Sequence, residues 1–221
     1  MMVNNVINWA KVLGSVSSGA VSYTKSMALR KVYVHNGVAN VCNGLVLIRR
    51  AIDAPDGYYV LDPKGNLAPS GTAVQYPYPH IEEMMPDFAH MRRLELRRED
   101  IQNMIMFTNS IAEDTTRGVN SRLVVFDATE ARHAQEAHTR FPLPGSPVDL
   151  EIGVQACALR FALTEMLLYE SVYLAYDNRA AETKEVEDFH GNRRTVVRPR
   201  PLFIGLDWGH CAIVSAVKPA L

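Results

Sequence analysis

The chain has 221 residues, of which 48% are hydrophobic and 21% are charged. This length suits one large domain or two domains of about 100 residues each, and the composition excludes a fibrous or disordered protein. The formal net charge of −1 excludes a positive field over the whole chain. Any contact with nucleic acid must therefore come from a local basic patch.

Cysteine usage and the N-terminus indicate the compartment. Cys42, Cys157 and Cys211 are far apart and show no C-x-x-C spacing, which disfavours a zinc site and favours a reducing compartment. The N-terminus lacks the charged region and apolar run of a signal peptide, and no apolar stretch is long enough to span a membrane. We expect a cytoplasmic protein without a membrane segment. Phosphate-binding glycine motifs are also missing, so no nucleotide cofactor is expected.

The first half of the sequence predicts one helix followed by short strands. Residues 3–13 carry an apolar stripe at helical spacing, and the glycine and serine residues that follow end the helix. Asn36-Gly37 is a strong signal for a two-residue hairpin turn. Strands are predicted at residues 29–34, 38–42, 45–49 and 58–61.

A change of character follows, where prolines favour extended backbone. Five prolines lie in this region: Pro63, Pro69, Pro77, Pro79 and Pro86. We interpret residues 68–91 as an extended connector. The predicted domains are therefore residues 1–90, a first domain that ends in this connector, and residues 91–221, a second domain.

The second half predicts two more helices among strands. The predicted elements are a strand at 94–96, a helix at 99–112, a strand at 123–126, a turn at 127–129, a loop at 142–147, a strand at 148–152, a helix at 155–168, a strand at 172–176, a polar hairpin at 182–200 and strands at 202–204 and 212–217. Both halves share the order helix, polar loop, strand, turn, strand, which suggests a repeat. Antiparallel strands with a few helices predict an α+β fold.

Four stretches resemble, in the right order, segments of the bacterial and phage DNA sliding clamps of the DNA polymerase III β-subunit type. They are ALRKVYVHNGVANVCNGLVLIR at 28–49, YPHIEEMMP at 78–86, VDLEIGVQACALRFALTEMLLYESVYLAY at 148–176 and PLFIGLDWGHCAIVSAVKPAL at 201–221. The set corresponds to the last two domains of a three-domain bacterial clamp. The family's polar T-D-G-H-R stretch is replaced here by residues 42–46, Cys-Asn-Gly-Leu-Val.

This resemblance implies a DNA-clamp fold: two similar modules of antiparallel sheet with helices on one face. It implies a non-catalytic processivity factor that encircles double-stranded DNA without reading its sequence and tethers a DNA polymerase through short peptide motifs. The family's rings contain six domains, so two domains per chain imply a homotrimeric ring, in the host cytoplasm if a phage encodes the protein. No catalytic residue, cofactor or metal is implied.

The resemblance also places candidate site residues. The DNA-contacting candidates are Lys11, Tyr23, Lys25, Arg117 and Arg160. The candidates for an apolar groove that captures partner peptides are Gly44, Leu45, Val46, Leu47, Pro86, Val214, Ala216 and Val217. The alternatives are ordinary solvated surface charges for the first set and ordinary strand packing for the second.

Two alternative functions stay open. One is a clamp-fold adaptor or clamp inhibitor that binds proteins and does not encircle DNA, which the scarcity of cations on the second and third predicted helices favours. The other is a hydrolase that uses Cys211 beside His210. Adjacent residues of a strand point to opposite faces, which argues against that pair.

Two further clusters have ordinary interpretations. His133 and His138 are five residues apart, which does not align two metal ligands on a helix, so we expect a solvated helix or loop. Arg193, Arg194, Arg198 and Arg200 could contact phosphate or an acidic partner. They follow a run of acidic residues at 182–188, so pairing across a polar hairpin is the favoured interpretation.

Overall fold

The computed structural model describes residues 31–42, 45–64, 66–71, 81, 85, 87–112, 122–136, 138–179, 182–187 and 193–217. The helix predicted at residues 3–13 lies outside these ranges. The described helices are α1 (Arg98–Ala112) and α2 (Ala156–Met166). The strands are β1 (Val32–His35), β2 (Val38–Cys42), β3 (Val46–Ala51), β4 (Gly57–Leu61), β5 (Leu67–Pro69), β6 (Met91–Arg97), β7 (Leu123–Phe126), β8 (Glu130–His133), β9 (Arg140–Pro142), β10 (Ile152–Gln155), β11 (Ser171–Asp177), β12 (Glu182–Glu187), β13 (Arg193–Arg198), β14 (Leu202–Asp207), β15 (His210–Val214) and β16 (Ala216–Val217).

Nine strands form the larger sheet, in the order β5-β4-β1-β2-β3-β15-β14-β11-β6, and each described pairing is antiparallel. The sheet joins the two halves of the sequence where β3 pairs with β15, with Leu47 opposite Ile213 and Ile48 opposite Ala212. A continuous ladder therefore runs across the predicted domain boundary. The boundary itself, at residue 90, stays a prediction.

Within residues 91–214, the order β-α-β-β-β occurs twice. The first motif is β6-α1-β7-β8-β9, and the second is β10-α2-β11-β14-β15 with a hairpin inserted. The leading strands are exchanged: β6 pairs with β11, and β10 pairs with β7 in a second sheet of order β16-β10-β7-β8-β9. A repeat is therefore present inside the second half. The repeat between the two halves depends on the helix predicted at 3–13, which lies outside the described residues, and it stays a prediction.

The larger sheet separates two apolar clusters because side chains alternate along each strand. On the inner face, residues such as Val34, Val41 and Ile48 pack in the main core with Leu159 and Leu163 of α2. Both helices pack on this side, which confirms the expected fold class. On the outer face, a smaller cluster contains Cys42, Leu47, Ile81, Met91, Ala175, Phe203, Cys211 and Ile213.

Most predicted elements are present, and the exceptions have local causes. The strands predicted at 38–42 and 123–126 are confirmed. The Asn36-Gly37 turn has positive φ angles of 51° and 70°, as a type I′ hairpin requires. The strand predicted at 148–152 is wrong: β10 begins only at Ile152, and the Asp149 N–H is held by the Asn178 side chain instead of a ladder.

The end of the chain also differs from the prediction. The strand predicted at 212–217 divides at Ser215 into β15 and β16, which belong to different sheets. The sequence prediction lacks three short strands, β5, β8 and β9, which have three or four residues each. Among the described residues, no helix is long and apolar enough to cross a membrane.

Candidate functional site

One of the five predicted DNA-contacting residues lies in the described part of the chain. Lys11, Tyr23, Lys25 and Arg117 lie outside it. Arg160 is half-buried on α2, where its Nη1 donates a hydrogen bond of 3.1 Å to Asn109 Oδ1 on α1. This bond ties the two helices together and occupies part of the guanidinium group.

The exposed faces of α1 and α2 carry little charge. The exposed residues on them are Glu99, Gln102, Asn103, Met106, Ser110 and Cys157. Arg98, at the start of α1, is paired with Glu170 at 3.1 Å. Met106 is 63% exposed. On the described helices, therefore, the surface offers apolar, neutral polar and acidic groups, and phosphate would meet few cations.

The predicted peptide groove divides into three parts. Val46, Leu47 and Val214 are buried within β3 and β15. Leu45 and Ala216 are half-buried, whereas Val217 is 42% exposed. Gly44 and Pro86 lie outside the described residues.

The half-buried members of this set are close to one another along the backbone. The Ser215 N–H donates to Leu45 O at 2.8 Å, and Val217 pairs with Gly153 at the edge of the second sheet. The accessible apolar surface of the set is therefore at the ends of β3, β15 and β16, and the buried members form its support.

A buried arginine joins the two halves on the inner face of the sheet. Arg50 on β3 is 2% exposed, and its Nη2 donates 3.0 Å to the backbone oxygen of Glu165 in the last turn of α2. The Glu165 carboxylate is 3.7 Å away, and the Tyr169 ring centre is 5.9 Å away. Arg50 thus satisfies a helix C-terminal carbonyl and carries the charge that this helix end favours.

Aromatic side chains cover the same joint on the outer face. Phe88 packs edge-on against Phe203 and Trp208, with ring centres 4.7 and 3.9 Å apart. Ile81 and Met85 pack in the same outer cluster, against residues of β3, β14 and β15. Sequence reasoning missed this arrangement because the apolar residues of 81–90 recur at no regular spacing. Within the segment predicted to be an extended connector, residues 88–90 form a 3-10 turn.

Cys211 and His210 do not form the nucleophile and base pair that the hydrolase hypothesis requires. The Cys211 thiol is buried in the outer cluster, donates weakly to Trp208 O at 3.8 Å, and has a pKa that burial raises to about 12. His210 instead contacts Asp207 at 3.1 Å and the ring of Tyr169. A thiol of this kind stays protonated at neutral pH and is a poor nucleophile.

The other two clusters also have structural roles. His133 is buried at the end of β8 and its Nδ1 accepts a hydrogen bond from the Glu136 N–H at 2.9 Å, so a solvated position was the wrong expectation for His133. In the hairpin, the backbone register places Glu182 opposite Arg198 and Glu187 opposite Arg193, and pairing of their charges stays a prediction. In the described part of the chain, no group of His, Cys, Asp or Glu residues is arranged to hold a metal ion.

Comparison with known proteins gives matches among solved structures only. No family model matches the sequence, and no curated protein is significantly similar to it. The DNA polymerase III β subunit from Thermotoga maritima superposes with a TM-score of 0.56 at 12% identity, over 97% of this chain and 65% of that chain.

Other structures with the same description give similar values. The β subunit from Borrelia burgdorferi superposes with a TM-score of 0.58 at 10% identity, over 100% of this chain and 67% of that one. The β subunit from Streptococcus pyogenes gives 0.57 at 13% identity, over 99% and 67%. The chain thus spans about two thirds of the length of these proteins, and likeness at such low identity establishes the fold. This chain has the fold of the DNA polymerase III β-subunit sliding clamps.

Proposed function

We propose that this protein is a sliding clamp, a processivity factor that encircles duplex DNA and tethers replication proteins to it. The observation that supports this proposal most directly is the edge-to-edge union of two parts of the chain in one sheet through β3 and β15, with both described helices on the inner face. Repetition of such a union would produce a curved wall lined by helices. A wall of this kind holds DNA by enclosure and needs no sequence-reading contact.

A second sheet edge is available for the next union. In the repeated β-α-β-β-β motif, β9 occupies the position of β15, and among the described residues it has only β8 as a neighbour. Thr139 O and Leu143 N bond toward the β8 side, so residues 140 and 142 direct their backbone groups away from it. Edge pairing with another copy would be heterologous and would close by rotation. With two modules per chain and six per ring, the ring is a homotrimer.

The proposed partners are a short peptide of a replication protein and the DNA duplex. The apolar surface around Leu45, Ala216 and Val217 suits a short peptide with aliphatic or aromatic anchors, such as the tail of a DNA polymerase. DNA contact falls to Lys11, Tyr23, Lys25, Arg117 and Arg160. A replication protein of this type works in the cytoplasm, which is the host cytoplasm if the chain is phage-encoded.

The ring is tested by mass in solution. Sedimentation equilibrium at micromolar concentration should give three times the mass of the chain. A monomeric wild-type protein would contradict the proposed ring.

The DNA contacts are tested by affinity for nicked circular DNA. Binding should fall steeply with salt, and replacing Lys11 and Lys25 with alanine should weaken it. Lys64, in the exposed turn before β5, provides a matched control in which the same charge is removed elsewhere. Encirclement further predicts that linearising the bound circle releases the protein. Retention on linear DNA would contradict it.

A second candidate function is a clamp-fold adaptor or clamp inhibitor that binds proteins only. The surface of α1 and α2 is poor in cations, with Met106 exposed and Arg160 hydrogen-bonded to Asn109, and this favours the adaptor. An adaptor predicts no salt-dependent DNA affinity and no loss on linearisation, so the same two measurements separate the candidates.

A further inference from the structure

One strand connection of the second half is much longer than its counterpart. In the repeated motif, β7 and β8 are joined by a tight turn at residues 127–129, whereas β11 and β14 are joined by residues 178–201, which contain the β12–β13 hairpin. This hairpin is a separate two-stranded sheet. Two strands alone are marginally stable in water, so the hairpin needs support where it leaves the larger sheet.

A buried carboxylate provides that support. Asp177, the last residue of β11, is 0% exposed. Its two oxygens accept bonds of 2.9 and 3.0 Å from Arg179 Nε, and Oδ1 also accepts the Arg179 N–H at 3.1 Å. Arg200 Nε lies 3.5 Å from Oδ2. Because Arg179 precedes β12 and Arg200 follows β13, a single carboxylate binds both legs of the hairpin.

The same arginine reaches the connector. Arg179 Nη1 lies 3.4 Å from Asp87 Oδ2. Asp87 begins the 3-10 turn Phe88–His90: its Oδ1 accepts the Ala89 N–H at 3.0 Å, and its Oδ2 lies 2.7 Å from His90 Nδ1. This turn places Phe88 in the outer cluster that covers the β3–β15 joint. A continuous chain of charged groups therefore leads from the hairpin to the joint.

We propose that Asp177 is a positioning residue that fixes the β12–β13 hairpin as a rigid arm and couples it, through Arg179 and Asp87, to the turn that covers the joint between the two halves. Displacement of the hairpin by a bound partner would then also displace the turn that covers the β3–β15 joint. The Asp177–Arg179 pair lowers the pKa of Asp177, so the carboxylate is ionised and the coupling is intact at neutral pH.

Native-state hydrogen exchange of the full chain tests the coupling. Asp177→Asn should accelerate exchange in β12 and β13 by roughly 10- to 100-fold, as expected for loss of a hydrogen bond between charged groups, and should leave β7, β8 and β10 unchanged. Asp149→Asn, the same chemical change in the exposed pair with Arg92, is the matched control and should not affect the hairpin.

Two variants of Arg179 test the link to the connector. Arg179→Gln should accelerate exchange at residues 87–90 as well as in the hairpin, and Arg179→Lys, which keeps the charge, should bring both segments back toward wild-type rates. If Asp177→Asn does not fold, the Arg179 pair decides alone. Unchanged exchange in the hairpin, equal acceleration in all strands, or acceleration in the hairpin without residues 87–90 would overturn the proposal.

Discussion

Removal of the Arg50 side chain should expose how the two halves are held together. Its guanidinium is buried, donates 2.8 Å to Arg49 O and 3.0 Å to Glu165 O, and lies near the buried Glu165 carboxylate. Arg50→Met removes the cation that lies beside that carboxylate and the hydrogen-bond donor to the Glu165 backbone oxygen. Breaking a buried pair of this kind costs about 3–5 kcal/mol of the free energy of unfolding.

The size of this effect makes it measurable by heat or urea. For a chain of 150–250 residues, about 2–4 °C of Tm is lost per kcal/mol, so Arg50→Met should lower Tm by roughly 6–20 °C. Arg92→Met, which breaks an exposed pair with Asp149, is the control and should change the free energy of unfolding by about 1 kcal/mol or less.

The double variant separates ion pairing from packing. Arg50→Met with Glu165→Leu replaces both charges with apolar groups, and such replacements are often neutral or stabilising. We expect the double variant to recover most of the stability lost in Arg50→Met. Two outcomes would refute the assignment of Arg50 as the residue that joins the two halves on the inner face of the sheet. One is a loss below about 1 kcal/mol in the free energy of unfolding of Arg50→Met, and the other is no recovery of stability in the double variant.

Three further predictions concern single sites. Gly205→Ala places a methyl group 2.5 Å from Cβ of Cys211 on the facing strand, so it should destabilise the protein by about 3 kcal/mol in urea titrations, whereas Gly71→Ala, with open space around it, should be nearly neutral. Iodoacetamide at about pH 8 should modify exposed Cys157 and spare Cys211, whose pKa is raised to about 12 by burial; modification of native Cys211 would contradict its burial. The pKa of Asp177 is lowered by Arg179, so its stabilising effect is present above the unfolded pKa and is lost as pH falls through the folded one; the stability difference between wild type and Asp177→Asn should shrink below about pH 4, and a constant difference would contradict the ion pair.

Elements whose pattern matches their burial could be predicted from the sequence. The run Leu-Val-Val-Phe at 123–126 is buried at each position, and the Asn36-Gly37 turn follows from backbone preference alone. The segment 148–152 alternates between apolar and acidic residues, as a half-buried strand does, yet Leu150 is 54% exposed and β10 starts at Ile152. There, the Asn178 side chain donates a hydrogen bond to Pro147 O and accepts one from the Asp149 N–H, and these bonds fix the backbone conformation. Asn178 is far away in the sequence, so the local pattern does not reveal them.

The site residues show the same limit more strongly. Arg49 and Arg50 are neighbours in one strand, but only Arg50 is buried. Its partner Glu165, on α2, is 115 positions away in the sequence, so no local pattern reveals the contact. No local pattern distinguishes the two arginines. Similarly, the sequence places Asp177 at the end of an apolar strand, where an exposed carboxylate would be ordinary. Its carboxylate is paired with Arg179, two residues on, and with Arg200, which the hairpin brings back to the same point.

The internal β3–β15 pairing and the β9 edge differ in a way that bears on the proposed ring. The β3–β15 union has five paired positions, a buried Arg50 on one face and the Phe88 cluster on the other. The β9 edge has three residues and ends in Pro142, which cannot donate to a ladder. In the proposed trimer, the contact between copies is therefore weaker than the joint within each copy. In a urea titration, the trimer should therefore dissociate into folded chains at a lower urea concentration than the one that separates the two halves of a chain. Loss of the β3–β15 pairing before dissociation would contradict this order.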